Sequence, residues 1–526
     1  MNKIIWRFFL PVLVAVMAAC DVTDLSPVNV IPEEQAFDTK ANCESAMIGV
    51  YDAAQSGFYG GVETTDRGYI FGAAHIQQGD MRGEDFTMVN VFYDNTFRAT
   101  WTISSANQVN YWENGWRIIN LANLVIEGVA GAAEKGVLTA AEAAAYQGEA
   151  RVIRAMTYHT LLIHFSRPYR DGNGDKAGLP LLTKGVNTGP KAADVILEHR
   201  ATVAQVYALI LEDLNFAEQN LPAPATNPVT RATKGAAIAL KTRVYLHMGD
   251  WANTITEAQK LVAVDPTAAG PISGFKLGTS PDAPWANNKS SECILSMEMS
   301  STDALDTNSA LARMLGTPAK GARGEYLLSP IMWNQNFWHA SDLRRTQFLL
   351  TSADGNYYYI NKYRDYAQNT DYAPVIRYAE VILNLAEAQA RTTTKSLDAL
   401  KNLNAIRDRA IPNPANGMTS YNDVNLFADG KALVQAILNE RRIELLGEGE
   451  RWSDIHRNAV DPDFKNEGIP AKLSYSQVLG NYGIGKAVPT PGVAAIPYAD
   501  FRYLWPIPLS ETSRNPIMAA EQNPKY

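Results

Sequence analysis

One stretch limits what this chain can fold into more than any other. It spans residues 437–457, ILNERRIELLGEGERWSDIHR, and combines a regular helical pattern with many charges. Its apolar residues recur at three- and four-residue spacing, which predicts an amphipathic helix. They are Val434, Ile437, Leu438 and Leu445. Gly447 and Gly449 are expected to end this helix, and a short second helical turn follows them.

The same helix carries carboxylates one turn apart. Glu440 and Glu444 should repel each other unless a cation lies between them. Arg441, Arg442 or an arginine of a neighbouring helix could supply that cation. We therefore predict a buried or half-buried ion network between helices. The alternative is a solvated helix face whose charge pairs are exposed.

A second pattern, PVIRYAEVILNLAEAQA from Pro374, is nearly all apolar except for one polar stripe of Arg377, Glu380, Asn384 and Glu387. A polar stripe on a buried helix needs partners. The stretch LNAIRDRA offers Arg407 and Arg409 as those partners. The predicted structural ion network consists of Arg377, Glu380, Arg407, Glu440, Arg441 and Glu444.

The first residues are typical of a lipoprotein signal. Lys3 and Arg7 give a positive start, residues 8–16 are apolar but too few to span a bilayer, and the sequence MAAC ends at Cys20. Cleavage would remove residues 1–19 and leave Cys20 to carry acyl chains, which anchor the mature chain to a membrane. An ordinary secretory signal is the alternative.

The body of the chain is large enough to bury a substantial core, with 526 residues of which 46% are hydrophobic. No second run of about 18 apolar residues follows the signal. The net charge is −8 without a Lys/Arg-rich run, which argues against a nucleic-acid partner. Cys43 and Cys293 are compatible with either a disulfide or two buried thiols.

Amphipathic helix patterns recur at residues 112–126, 146–161, 237–248 and 251–262. Gly249 and Asp250 separate the last two patterns, which predicts a helical hairpin. Tyr245, Gly249, Trp251 and Pro266 also follow tetratricopeptide spacing, although no clean 34-residue period runs through the chain. We predict an all-α fold, a single domain over residues 20–526 built on tetratricopeptide-like helical hairpins.

Three insertions rich in aromatic and turn residues interrupt the helices, at about residues 57–101, 271–366 and 461–502. Long loops in a compact domain usually carry function. Sugars pack their C–H faces on aromatic rings and need fixed polar groups for their hydroxyls. The predicted ligand-binding residues are Asp80, Arg82, Trp101, Trp285, Trp333 and Trp338. A tryptophan taken singly is also a common core residue.

Common catalytic and cofactor patterns are absent from the sequence. It contains no HExxH, CxxC or GxSxG, and its 7 histidines form no i,i+4 pair, so we predict no metal and no cofactor. GNYGIGKA at residues 480–487 lacks the Ser/Thr and the helix of a phosphate loop. DGNGD at residues 171–175 does not continue as an EF-hand, which leaves only a looser calcium site open. Glutamates interleaved with arginines are poor glycosidase acids.

Several of these stretches together resemble one family. RYAEVILNLAEAQA, LNAIRDRA, ILNERRIELLGEGERWSDIHR and LWPIPLSETSRNPIMAAEQNPKY are similar, in the same order, to the SusD/RagB family of surface glycan-binding lipoproteins. WRIINLANLVI and EARVIRAMTYHTLLIHFSRPY fit it in the N-terminal half. Lys525 departs from the usual QNPGY ending of the family, and we expect little functional consequence.

The resemblance implies a non-catalytic lipoprotein of the outer membrane, facing the cell exterior. Such a protein would capture an oligosaccharide with its insertions and pass it to a SusC-like TonB-dependent transporter. Asp21 and Asp24 after the anchor go with surface export in this family, whereas in some other bacteria an aspartate there means inner-membrane retention. A peptide ligand, as in the RagB branch, is one alternative. An all-α glycoside hydrolase, with two carboxylates across an aromatic cleft, is the other.

We expect Cys20→Ala to release the protein from the membrane fraction, because acyl chains on Cys20 would be its only anchor. Membrane sedimentation followed by immunoblotting measures this, with Cys43→Ala as the matched control that stays membrane-bound. An alanine variant at Cys20 that still sediments with membranes would contradict the lipoprotein assignment.

Overall fold

The computed structural model describes residues 35–62, 65–89, 92–196, 198–303, 307–411 and 421–526. The predicted signal segment and Cys20 lie outside these residues. Within the described part of the chain, no helix is both long enough and apolar enough to cross a bilayer.

The described residues form a mainly helical fold, as predicted. The α-helices are α1 (Lys40–Ser56), α2 (Ala73–Met81), α3 (Asp94–Arg98), α4 (Ala106–Glu134), α5 (Ala140–Phe165), α6 (Gly189–Val195), α7 (Val203–Asn220), α8 (Lys234–Met248), α9 (Trp251–Ala258), α10 (Ala283–Ala286), α11 (Leu311–Leu315), α12 (Pro330–Trp333), α13 (Arg344–Gln347), α14 (Tyr378–Thr392), α15 (Leu397–Asp408), α16 (Gly430–Glu444), α17 (Glu450–Arg457), α18 (Leu509–Thr512) and α19 (Pro516–Ala520). Short 3₁₀ helices span Gly172–Gly174, Pro318–Lys320, Val424–Leu426, Tyr475–Gln477 and Phe501–Tyr503.

The strands are short and pair in twos. They are β1 (Phe86–Met88), β2 (Cys293–Met297), β3 (Tyr326–Leu328), β4 (Leu349–Thr351), β5 (Tyr358–Ile360), β6 (Ala373–Arg377), β7 (Gly468–Ile469) and β8 (Ile496–Pro497). The antiparallel pairs are β1–β3, β2–β6, β4–β5 and β7–β8. All of them are too short to form a layer of the fold, and they fasten the insertions to one another and to the helices.

The scaffold is a row of helical hairpins in which neighbours in sequence pack together. Helix α4 packs on α5, α5 on α7, α7 on α8, α8 on α9, and α14 on α9, α15 and α16. Thr139 and Thr202 start α5 and α7 with capping boxes. Gly249 has φ 76°, a left-handed conformation that ends α8 before Asp250 caps α9. The predicted hairpin is therefore present.

The ends of the two charged patterns differ slightly from expectation. The stretch from Pro374 enters as strand β6, paired with β2, and the helix starts only at Tyr378. The predicted break after α16 is confirmed, since Gly447 and Gly449 have φ of 75° and 84°. A Cβ on Gly79 of α2 would lie 2.2 Å from the carbonyl oxygen of Gly449, so α2 and the start of α17 are in backbone contact.

The cation between Glu440 and Glu444 comes from outside the helix. It is Arg344, at the start of α13, whose Nη2 lies 2.5 Å from Glu440 and whose Nη1 lies 3.1 Å from Glu444. Arg407 adds a contact to Glu440 at 3.5 Å, and Arg409 one to Glu444 at 2.8 Å. The side chains of these five residues are at most 5% exposed. The helix face is thus interior, and the solvated alternative does not apply.

Arg377, the last residue of β6, links this cluster to Glu292, just before β2, and to Glu448, in the turn after α16. Its Nη1 lies 2.8 Å from Glu292 and 3.3 Å from Glu444, and its Nη2 lies 2.7 Å from Glu448. Burial alone would raise the pKa of Glu444, but the charges of Arg409, Arg377 and Arg344 outweigh it and hold that pKa at about 2. The carboxylate is therefore ionised inside the core.

The polar stripe of α14 has other partners than expected. Glu380 accepts hydrogen bonds from Arg243, Asn384 from Arg441, and Glu387 from Arg457. None of these comes from Arg407 or Arg409, which instead face Glu440, Glu292 and Glu444. Arg441 itself lies 3.2 Å from Asp454 of α17 rather than against its helix neighbours.

The first insertion is not an irregular loop. Residues 57–101 contain α2, β1 and α3, and most of them are buried against the helices. Cys43 and Cys293 are both free and buried, so no disulfide joins them. The second insertion contains the short helices α10–α13 and the strands β2–β5, whereas the third is mostly irregular, as expected.

We expect Arg377→Ala to lower the free energy of unfolding by about 3–5 kcal/mol, because it removes a shared cation from the buried carboxylates of Glu292, Glu444 and Glu448 and leaves the network with excess negative charge. Arg441→Ala should have a similar effect, because Asp454 then keeps only Arg457. Denaturant unfolding followed by tryptophan fluorescence measures the change. Arg98→Ala, which breaks an exposed pair with Asp94, is the control that should unfold like the wild type. Equal unfolding midpoints for Arg377→Ala and Arg98→Ala would contradict the network.

Candidate ligand-binding surface

The six predicted ligand-binding residues do not meet at one surface. Asp80, on α2, is 1% exposed and accepts a hydrogen bond from the Tyr326 hydroxyl at 2.6 Å. Burial raises the pKa of Asp80 to about 7. The carboxyl group is enclosed by protein, so it offers nothing to a ligand at the surface.

Arg82 is a buried cation enclosed by aromatic rings. Its guanidinium carbon lies 3.4 Å from the ring centroid of Trp452, and its Nη1 lies 3.0 Å from Nδ1 of His164. Its Nη2 donates to the carbonyl of Tyr503 at 2.5 Å. Burial lowers the pKa of Arg82 to about 9. The expectation that Arg82 contacts a ligand is therefore corrected, because no part of it is exposed.

Trp101, Trp285 and Trp338 are also core residues, 3%, 8% and 0% exposed. The indole N–H of Trp101 donates to the hydroxyl of Tyr526 at 2.7 Å and so ties down the C-terminus. Trp285 packs under Lys362, whose Nζ lies 4.7 Å from the ring centroid. Their predicted role as stacking platforms is corrected, since none presents an open ring face.

One exposed ring lies where the second and third insertions meet. Tyr475 is 42% exposed, and its ring centroid lies 5.8 Å from that of Tyr357 with the planes inclined by 24°. Their hydroxyl oxygens lie 3.3 Å apart. Tyr357 and the next residue, Tyr358, are half-buried. We call Tyr357 and Tyr475 the tyrosine surface.

A tight hairpin carries Tyr357 and Tyr358. Strands β4 and β5 pair with Thr351 opposite Tyr358. In the turn between them, Ser352 Oγ accepts hydrogen bonds from the backbone N–H groups of Asn356 at 3.0 Å and Tyr357 at 2.9 Å. Alternation along β5 places Tyr357 and Tyr358 on opposite sides of the hairpin.

Trp333, the remaining predicted residue, packs against Tyr358 on the other side of the hairpin from the tyrosine surface. It stacks on Tyr358 with centroids 3.8 Å apart and planes 14° apart. Tyr482 meets Tyr358 edge-on at 4.9 Å and donates from its hydroxyl to the carbonyl of Leu328 at 2.6 Å. The guanidinium carbon of Arg345 lies 4.6 Å from the Trp333 centroid. These contacts hold the Tyr358 ring, and with it the hairpin, in one position.

One asparagine holds the loop that carries Tyr482. The amide Nδ2 of Asn334 donates to the carbonyls of Asn481 at 2.9 Å and Lys486 at 3.0 Å. Its Oδ1 accepts a hydrogen bond from the N–H of Gly483 at 2.8 Å. Its backbone carbonyl accepts one from the N–H of Gly485 at 2.7 Å. Asn334 thereby shapes residues 481–486 around itself.

The charge around the tyrosine surface suits neutral, hydroxyl-bearing ligands. The hydrogen bond with Tyr475 raises the pKa of Tyr357 to about 12, so the phenol stays protonated near neutral pH. Asp354, Asn356 and Asn336 are exposed in the same region and add polar donors and acceptors. Hydrogen bonds from Ser352 and Asn356 lower the pKa of Asp354, so this carboxylate is unsuited to act as a general acid.

The first insertion approaches the same region through the small strands. Val89, just after β1, donates its N–H to the carbonyl of Glu325 at 3.0 Å, and β3 packs beside β5. Tyr59 and Phe92 lie with centroids 5.8 Å apart, and the guanidinium carbon of Arg67 is 5.5 Å from the Tyr59 centroid. All three side chains are half-buried.

Glu450 is a further carboxyl group with a raised pKa. Burial raises the pKa of Glu450 to about 7, and its carboxylate lies 3.1 Å from Arg243. Unlike Asp80, its side chain is half-buried, at 14% exposure. Among residues 35–526, where the structure describes them, no group of three or more His, Cys, Asp and Glu is placed to hold a metal ion.

The predicted ligand-binding residues include neither Tyr357 nor Tyr475. The run of residues 357–359 is visible among the aromatic residues of the second insertion, whereas Tyr475 and Tyr482 lie in the third and were not singled out. The available signal was their position between glycines and serines, in SYSQVLGNYGIG at residues 474–485, where a large ring has no helical face to join.

We expect Asn334→Ala to loosen residues 481–486. Three backbone groups of this loop lose their hydrogen bond to the Asn334 side chain, and the N–H of Gly485 loses its alignment with the backbone carbonyl of residue 334. An unpaired buried polar group costs about 1–3 kcal/mol, which corresponds to roughly tenfold or more faster amide exchange. Hydrogen–deuterium exchange with mass spectrometry measures this. Asn336→Ala, at an exposed neighbour, is the control; equal protection in both variants would show that Asn334 does not hold the loop.

Comparisons with known proteins give consistent matches. The profile described as "SusD family" matches residues 334–526, and the profile described as "Starch-binding associating with outer membrane" matches residues 30–246. The chain is 26% identical to "SusD-like protein P2" of Formosa agariphila over 98% of both chains.

Solved structures show the same fold. A SusD superfamily protein from Bacteroides fragilis superposes with TM-score 0.72 at 25% identity, over 91% of this chain and 99% of that one. A SusD-like carbohydrate binding protein from Bacteroides vulgatus gives TM-score 0.71 at 21% identity, over 93% and 98%.

Proposed function

Because the chain belongs to the SusD/RagB family, we propose that it is an outer-membrane lipoprotein that captures an oligosaccharide at the tyrosine surface. Lipid anchoring through Cys20, exposure on the cell exterior and delivery to a SusC-like TonB-dependent transporter are parts of the same proposal. The profile described as starch-binding and associating with the outer membrane supports it, as does the carbohydrate-binding description of the protein from B. vulgatus.

The observation that carries the proposal is the open pair of Tyr357 and Tyr475. Sugar rings present C–H faces that pack on aromatic planes, while phenol hydroxyls and nearby amides hydrogen-bond their hydroxyl groups. Asn356 lies in the same turn and supplies such an amide. Tyr475 is among the few large rings of the described residues that remain substantially exposed.

The protein acts by binding and not by catalysis in this proposal. Glycoside hydrolysis needs one protonated and one ionised carboxyl group on opposite sides of the sugar. Asp80 and Glu450 have raised pKa values, but Asp80 is enclosed in the core and the half-buried Glu450 is paired with Arg243. Asp354, the acid beside the tyrosine surface, has a lowered pKa.

We expect Tyr475→Ala to weaken oligosaccharide binding by about 2 kcal/mol, roughly thirtyfold, because it removes half of the stacking pair. Tyr357→Ala should have a similar effect. Isothermal titration of an oligosaccharide panel measures the affinities. Tyr372→Ala, at a half-exposed tyrosine outside the insertions, is the matched control with unchanged affinity, and thermal melts check that all variants fold.

Three results would contradict the proposal. Binding that survives both tyrosine substitutions would place the glycan elsewhere, with Tyr59 and Phe92 as the next candidates. A wild-type protein that binds peptides and no glycan would establish the peptide-uptake alternative. Chromatography of each sugar after titration tests the third possibility, because cleavage products would show that the protein is an enzyme.

A further inference from the structure

A buried lysine precedes the 3₁₀ turn that carries Tyr475. This residue, Lys472, is 1% exposed. Its Nζ donates to the carbonyl of Phe97 at 2.7 Å and to the carbonyl of Met81. The two acceptors belong to α3 and α2, which are elements of the first insertion. The side chain of Lys472 therefore joins the third insertion to the first, three residues before the exposed ring.

The two carbonyls are natural acceptors for a cation. Met81 is the last residue of α2, and Phe97 is the last but one of α3. Carbonyls at the C-terminal end of a helix have no N–H partner within the helix and carry partial negative charge. Hydrogen bonds from a charged donor are about twice as strong as those from a neutral one. The strength of this link therefore depends on whether the Lys472 amine is protonated.

The backbone between Lys472 and Tyr475 transmits the position of the buried amine. The N–H of Lys472 donates to the carbonyl of Val493 at 2.9 Å, and the N–H of Val493 donates back at 3.0 Å. The Thr87 hydroxyl donates to the carbonyl of Leu473 at 3.1 Å. The 3₁₀ turn begins two residues later. A displacement of Lys472 therefore moves the base of the Tyr475 turn.

The other ring of the tyrosine surface is attached to a different part of the protein. Tyr357 directly precedes β5, and Lys362 follows that strand. The Nζ of Lys362 donates to the carboxylate of Glu448 at 2.6 Å and to the carbonyl of Glu444 at 2.8 Å. The two rings are thus carried by separate segments, each with its own buried lysine. Because binding groups must be held within about 0.5 Å to act together, the placement of one segment against the other decides whether the pair forms.

Lys472 differs from Lys362 because the two acceptors of its amine are neutral carbonyls. Burial lowers the pKa of Lys472 to about 7, Arg82 also lowers it, and Glu84 opposes both. Arg442 and Arg451 hold the Glu84 carboxylate at 2.8 and 2.5 Å.

Few titratable groups surround this amine. Those on α2, on α3 and in the turn after α2 are His75, Asp80, Arg82, Glu84, Asp85, Asp94 and Arg98. Residues 488–497, which include Val493, add none. The charge of Lys472 therefore changes near neutral pH.

From these contacts we propose that Lys472 is a positioning residue of the tyrosine surface. In its charged form it fixes the Tyr475 ring beside Tyr357, and in its neutral form it holds the turn less firmly. The affinity for the glycan then falls as the pH rises through neutrality. The inference rests on the proposed function, since it assigns the regulation of glycan capture to this residue.

A lysine that only fills the core would behave differently. Its pKa in the folded protein lies below the value of about 10.4 for the unfolded chain. Loss of the charge therefore removes a cost of burial, and the free energy of unfolding rises between about pH 7 and pH 10. Positioning predicts that affinity falls over the range in which stability rises.

Hydrogen–deuterium exchange of the free protein tests the positioning itself. We expect Lys472→Met, at about pH 6, to speed exchange of residues 473–479 roughly fivefold. Residues 481–486, which Asn334 holds, should exchange as in the wild type. Methionine keeps the length of the side chain and removes its donors. Lys241→Met is the matched control, because Lys241 is also buried but pairs with glutamates of the scaffold. It should leave both segments unchanged.

Isothermal titration measures the effect on the ligand, with the member of the oligosaccharide panel that the wild type binds most tightly. We expect wild-type affinity to fall roughly fivefold between about pH 6 and about pH 8.5. Lys472→Met should bind at both pH values as the wild type does at the higher one. Lys241→Met should follow the wild-type profile.

Two results overturn the inference. Asp80, Glu450 and Lys362 also titrate near neutral pH, and Lys472→Met keeps all three. A pH dependence that persists in this variant therefore belongs to another group. Wild-type exchange of residues 473–479 in Lys472→Met would equally show that the lysine does not position the turn.

A second variant decides the question if Lys472→Met melts well below the wild type. Lys472→Arg keeps a permanent charge and should bind equally at both pH values, so a pH-dependent affinity in this variant overturns the inference. The two proposals can also fail separately. If no oligosaccharide binds the wild type but the exchange result holds, only the proposed function fails. If Tyr475→Ala weakens binding and Lys472→Met does not, only the role of Lys472 fails.

Discussion

The structure depends on an ionised carboxylate, Glu444, held at the centre of the core. Three arginines, Arg344, Arg377 and Arg409, approach it within 3.3 Å from three separate parts of the chain. A buried carboxylate without such partners would be far more costly than the helix could offset. The need to satisfy it fixes how α13, β6 and α15 must sit around α16. The network therefore specifies an arrangement, and its net contribution to stability is a separate and smaller quantity.

This network is continuous with the support of the tyrosine surface. Arg344 binds Glu440 and Glu444, and the next residue, Arg345, donates to the carbonyls of Trp333 at 3.1 Å and Trp338 at 2.5 Å. On the other side, β5 ends beside Lys362, whose Nζ lies 2.6 Å from Glu448. Buried charged residues thus hold both helix α12, which contacts Tyr358 through Trp333, and strand β5, which carries Tyr358. A ligand site on irregular loops can be rigid for this reason.

The buried residues Arg82 and Trp101 show why aromatic and charged residues in insertions do not by themselves mark a binding site. The guanidinium of Arg82 lies among the rings of Trp452, Trp101 and Trp505, at 3.4, 5.3 and 5.1 Å from their centroids. Cation–π contacts of this kind stabilise a desolvated arginine that has no carboxylate partner. Aromatic rings beside polar side chains can bind a sugar at a surface, and they can equally surround a charged side chain in the core.

The sequence by itself determined the helical scaffold, the break at Gly447 and Gly449, and the presence of buried charge on α16, because helical periodicity and left-handed glycines are local properties. It also located the second and third insertions, where the tyrosine surface lies. Only the tertiary structure decided the partners of those charges, such as Arg344 for Glu440, since they are far apart in the chain. The tertiary structure likewise decided which rings stay exposed. Trp338 and Tyr475 both lie in insertions, yet the first is buried and the second exposed. Burial depends on what packs against a ring, and spacing along the chain does not encode this.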